Sequence, residues 1–125
     1  MTKGKDDLAG LTVQQLVAAF AEAGIAQAHA DLHRKYSIYT RLYRKTEAIQ
    51  AELKSRAGDQ RSALVALLDH PNPQVRYMAA EFTLAVAPEA SRKALQELSD
   101  RNIYPQAADA RGTLWSLEAG RRKPT

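Results

Sequence analysis

Apolar residues recur along this chain at spacings of three and four, and strict alternation is almost absent, so the pattern predicts helices from end to end. The first starts at Thr12, whose hydroxyl can cap exposed backbone N–H groups while Gln15 stands in the reciprocal position of a capping box. Val13, Leu16, Val17 and Phe20 then share a face. Ala23, Gly24 and Ala28 continue that stripe with small residues, which let a neighbouring helix come close. Gln27 falls at the edge of the stripe and makes its far end more polar. The helix ends near Asp31 or Leu32, where no strong breaker stands.

A second helix is expected from about Lys35 to Ala57, with Ile38, Leu42, Ile49 and Leu53 on one face and Tyr39 beside them. Gly58 can stop it in a left-handed conformation without a Cβ clash. Asp59 can cap a shorter third helix with Leu64, Leu67 and Leu68 inward. His70-Pro71-Asn72-Pro73 is the sharpest punctuation: Asn72 fits an N-cap, and Pro73 fits the first helical position, where its missing N–H is no loss. Val75, Met78, Ala79 and Phe82 mark the fourth helix. Ala87-Pro88 closes it and opens a fifth with Ala94, Leu95 and Leu98. A sixth begins at Pro105, carries Ala107, Ala110, Leu114 and Leu117 inward, and stops at Gly120. Short connections between successive amphipathic helices predict three antiparallel hairpins.

Composition agrees with an all-α fold. Alanine and leucine dominate the apolar residues, a bias toward helix over sheet. The 125 residues are expected to form one domain over 11–120, between a flexible segment 1–10 and a basic tail 121–125. No apolar run approaches the roughly 18 residues needed to cross a bilayer. The charge mix of the first seven residues is unlike a signal peptide's, so a cytoplasmic location without membrane contact is expected. With no cysteine, disulfides, thiolate nucleophiles and the usual cysteine-bearing zinc sites are excluded.

Residues 64–98 resemble a HEAT repeat. The residues that carry the resemblance are Leu67-Leu68, Asn72-Pro73-Gln74-Val75-Arg76, Ala79-Ala80 and Leu84, with Asn72 where such repeats commonly place an aspartate. The resemblance implies a short α–α superhelix of the HEAT or armadillo kind, with Asn72, Pro73, Val75 and Arg76 as its structural motif. From about Leu11 to Thr125 the chain is also similar to a family of short bacterial proteins of unknown function. The pieces that match are the run from Leu68 to Arg76, Ala87-Pro88-Glu89-Ala90, Pro105-Gln106-Ala107, Leu114-Trp115 and Lys123-Pro124-Thr125. That likeness implies an α–α superhelical fold and no established activity.

Candidate chemistry concentrates in one segment. Between Arg34 and Arg56 seven basic residues face only Glu47 and Glu52, a local charge of +5 against +4 for the whole chain. Helical geometry places Arg34, Arg41 and Lys45 along one stripe and Tyr36 and Tyr43 at another edge, with Tyr39 nearer the core. Arg44 lies between. Three readings compete: a solvated face, a protein-binding surface anchored by tyrosine and arginine, and a nucleic-acid contact aided by the basic tail. A non-enzymatic protein-interaction module, accessory or immunity-type, is the leading expectation.

Catalysis has no support from motifs: there is no phosphate-cradling glycine loop and no nucleophile elbow. His29 and His33 have the spacing of a zinc pair, but the residue after the first is Ala30 and no third ligand follows at a familiar spacing. Neither metal nor cofactor is expected. Trp115 is expected to be a partly buried packing residue of the last helix.

Overall fold

The capping signals in the sequence are used as such in the computed structural model, which describes residues 8–125. The expectation of a flexible segment over 1–10 lies outside the described residues for 1–7; the carbonyls of Leu8 and Ala9 receive hydrogen bonds from the Arg56 guanidinium. The described elements are helices α1 (Val13–Leu32) and α2 (Tyr36–Ser55), a 3₁₀ segment (Gln60–Leu67), and helices α3 (Pro73–Thr83), α4 (Pro88–Asp100) and α5 (Gln106–Glu118). No strand occurs among the described residues. The chain divides into two compact units, Met1–Ala63 and Leu64–Thr125.

In the first unit α1 packs along α2. Thr12 and Gln15 form the expected capping box, each side chain bonding the other's backbone N–H. Leu16, Phe20, Ala23, Gly24 and Ala30 of α1, with Ile49, Leu53 and Thr46 of α2, are buried. Gln27 is not at an edge: it is fully buried, and among the described residues neither its amide nitrogen nor its oxygen finds a hydrogen-bond partner. The third element forms as a 3₁₀ segment rather than an α-helix. It spans eight residues, Gln60–Leu67. Asp59 does cap it, accepting from the Arg61 backbone N–H at 3.3 Å and from the Arg61 guanidinium at 2.9 and 2.7 Å. Those side-chain bonds hold the Asp59 carboxyl below the usual carboxylate range.

In the second unit α4 packs against α3 and α5, around Ala80, Leu84, Leu95, Leu98, Ala110 and Leu117. Asn72 caps α3 by accepting from the N–H groups of Gln74 (2.9 Å) and Val75 (3.4 Å), with Pro73 at the first helical position. His70 Nδ1 accepts from the Asn72 N–H, and Arg76 donates back to the His70 carbonyl at 2.9 Å. Arg76 therefore seals its own loop. Polar groups inside this unit are paired: Gln106 donates to Gln74 at 2.8 Å, and the Thr83 and Ser91 hydroxyls lie 2.6 Å apart. Tyr77, largely buried and near Glu81, has its hydroxyl pKa pushed well above the ordinary value, first by burial and then by that carboxylate.

Three helices end in the same Schellman geometry, in which the N–H of a left-handed residue and that of the residue after it reach back to orphan carbonyls. The left-handed residue is Gly120 (φ 72°) after α5, Asn102 (φ 53°) after α4 and Arg34 (φ 56°) after α1. The reaching N–H groups of Lys35, Ile103 and Arg121 meet the carbonyls of Ala30, Leu98 and Ser116 at 2.8, 3.4 and 3.0 Å. Arg34 explains why no breaker was visible near Asp31: a residue with a Cβ occupies the position glycine favours, at a cost of about 1 kcal/mol.

Candidate functional site

Helix α2 carries its core residues on one face, so its remaining positions are set by rotation about the axis. Arg41, Arg44 and Lys45 are exposed and Tyr39 is half-buried, while Tyr36 and Tyr43 are 64% and 37% exposed. At 100° per residue, Tyr36 and Tyr43 fall on one flank of the exposed face and Arg41 and Lys45 on the other, with Arg44 between them. Arg34 departs from the expected stripe. It stands in the turn before α2, with a left-handed backbone, so helical periodicity does not align it with Arg41 and Lys45.

Among the described residues, no carboxylate pairs with Arg34, Arg41, Arg44 or Lys45. The nearby acid that is engaged, Glu52, serves Arg56 at 2.9 Å. These cations therefore keep all their donors for solvent or for an incoming acceptor. The start of α2 adds to this, because Lys35 gives no side-chain cap and no acidic residue stands in the first turn. Its first N–H groups lack the intrahelical partners that later ones have.

The tip of this hairpin holds a residue that sequence reasoning missed. Leu32, the last residue of α1, is 78% exposed, just across the turn from Tyr36. Its signal was available in outline, since an apolar residue at a helix end with no continuing stripe has nothing to pack on. His29 and His33 also lie there, with ring centroids 4.2 Å apart and His33 Nδ1 bonded to the His29 carbonyl at 2.9 Å. Among the described residues no group of three metal-capable side chains forms.

In the second unit a groove of about 570 Å³ lies between α4 and α5. Trp115, expected to be a packing residue, is 56% exposed on its wall. The Arg121 guanidinium sits 4.8 Å from the Trp115 ring centroid, an arrangement set up by the Gly120 turn that folds the chain back. Arg122 pairs with Glu81 at 2.6 Å, so the first two residues of the basic tail are engaged within their own unit. Glu52, Asp59 and Glu81 each hold an arginine.

The crystal structure of the protein RPA1889 from Rhodopseudomonas palustris CGA009 is similar to this protein, with 43% identity and a TM-score of 0.93 over 94% of this chain and 98% of that one. No curated protein matches. Among the described residues no helix is long and apolar enough to cross a membrane. The family model for a domain of unknown function, DUF2019, matches residues 14–118, and the chain belongs to that family.

Proposed function

We propose that this protein is a non-enzymatic, cytoplasmic protein-interaction module of HEAT-like helical hairpins, an accessory or immunity-type protein whose partner rests on the tip and outer face of the α1–α2 hairpin. One observation carries the reading: exposed Leu32 and Tyr36 stand among cations that have no carboxylate partner among the described residues. Tyrosine and arginine are the frequent anchors of protein interfaces, where an aromatic ring supplies apolar area and a guanidinium grips a carboxylate with two parallel bonds. An arginine without an internal partner has no existing pair to break before it does so.

Replacing Tyr36, Arg41 and Tyr43 together by alanine is expected to weaken capture of a protein partner from a native cell lysate while circular dichroism keeps its helical signal. Capture that is unchanged by the triple variant refutes this surface. A second reading, nucleic-acid binding, draws on the local charge of +5 between Arg34 and Arg56. It predicts binding to DNA or RNA that falls steeply with added salt, and no binding even at low salt removes it. Against it stands the basic tail, whose Arg121 and Arg122 are occupied by Trp115 and Glu81. Nuclease treatment of the lysate separates the two readings, because only nucleic-acid bridging is lost.

A further inference from the structure

We propose that the groove between α4 and α5 is a docking site for a short acidic peptide segment, with an apolar side chain of that segment lying against Trp115 and its carboxylates on Arg92 and Lys93. The groove is built from one stripe of each helix. Arg92, Gln96 and Ser99 lie along α4 at intervals of four and three, and Arg111, Trp115 and Glu118 do the same along α5. Such spacing makes each set a continuous ridge, and seven residues of helix give the groove a length of about 10 Å. Three residues of extended chain span that distance.

Charge complementarity chooses the occupant. Arg111 is committed to the turn, donating to the Ser99 carbonyl, the Ser99 hydroxyl and the Asn102 side chain. Arg92 and Lys93 are exposed and, among the described residues, have no ion-pair partner. Arg121 lies on the Trp115 ring. Basic groups therefore gather about an exposed indole, and among the described residues that line the groove the carboxylate is Glu118, with Asp100 held to Gln96 at 2.8 Å. A nucleic-acid strand fits less well. From 64 to 125 there are eight cationic side chains against seven carboxylates, so the basic character is local and offers no extended track for phosphates.

Trp115 is the chain's single tryptophan, so intrinsic fluorescence reads this groove directly. The probe is a short blocked peptide of aspartates and glutamates around one leucine, titrated into the full chain at low salt. The expected result is a saturable change in Trp115 emission that weakens as salt is added and loses at least about tenfold in affinity in Arg92→Glu/Lys93→Glu. Both side chains point to solvent, and circular dichroism checks that this variant stays helical. The Tyr36/Arg41/Tyr43 triple variant is expected to respond as the wild type does, which keeps this site distinct from the α1–α2 surface. The proposal is overturned by no saturable change, by an undiminished response in Arg92→Glu/Lys93→Glu, by an equal response to a neutral peptide of the same length, or by tighter binding of a single-stranded oligonucleotide of equal charge.

Discussion

Arg111 at the end of the α4–α5 hairpin donates to the Ser99 carbonyl at 2.7 Å, to Asn102 at 2.7 Å and to the Tyr104 hydroxyl, and its guanidinium lies 5.4 Å from the Tyr104 ring centroid. Arg41, Arg44 and Lys45 on the α1–α2 hairpin make no comparable bond among the described residues, although they too stand among tyrosines. The same two residue types thus do different work in two hairpins. In one, an arginine replaces water at backbone and side-chain acceptors of a turn and a tyrosine covers it. In the other, the cations keep their hydration and their donors. An arginine–tyrosine cluster in a sequence is therefore not by itself an interface; its availability depends on whether acceptors of its own fold reach it first.

The strongest test of this contrast is stability. Arg111→Ala is expected to cost about 2 kcal/mol, because it strips several hydrogen bonds from a charged donor and leaves the Ser99 carbonyl without that partner. Arg41→Ala is expected to change stability by less than about 0.5 kcal/mol. Urea unfolding of both variants measures this, and equal costs would abolish the distinction.

The ends of α1 and α5 also differ in how their left-handed residue is chosen, and exchange of residue type should act in opposite directions. Gly120→Ala is expected to destabilise by about 1 kcal/mol. A Cβ there meets nothing within 4 Å, so the cost is backbone strain alone. Arg34→Gly is expected to stabilise by about 0.5–1 kcal/mol by relieving the same strain. A loss of stability in Arg34→Gly would mean that the arginine side chain holds the α1–α2 turn.

Buried polar groups sharpen the comparison further. Gln74 and Gln106 satisfy each other in the second unit, whereas Gln27 in the first is buried without a bond. Gln27→Met keeps the volume and removes the unpaired amide, and is expected to raise stability by about 1 kcal/mol in a thermal melt. A lower melting temperature would show that the amide is needed.

The smallest expected effect is a pH dependence confined to the second unit. The folded Tyr77 hydroxyl has a pKa raised above its unfolded value, first by burial. The folded state therefore binds the proton more tightly than the unfolded state. Its contribution is fully present below the unfolded value and is lost as pH rises beyond it. Stability should fall as pH rises above about 10, and Tyr77→Phe should lose less over the same interval. Identical pH profiles for the two proteins would assign the loss to other groups.

Much of the helical arrangement was readable because it rests on local chemistry. Thr12 and Gln15, Asn72 and Pro73, and Gly120 act on backbone groups within a few residues, so their roles follow from spacing alone. The apolar stripes of Leu16 and Phe20, of Ile49 and Leu53, and of Leu95 and Leu98 likewise follow from helical period. The Arg34 turn was not readable, because a left-handed residue with a Cβ carries no compositional mark. Nor was the 3₁₀ form of residues 60–67, where a few hydrogen bonds of nearly equal energy decide between helix types. The sequence by itself also determined which segment concentrates positive charge and tyrosine, since charge is a property of composition. Tertiary packing alone decided that Gln27 is sealed from water, that Trp115 lies open beneath Arg121, and that Arg111 is spent on its own turn while Arg41 is not. Those outcomes depend on which acceptors and which apolar surface come within a few ångströms, and only the packed chain brings them there.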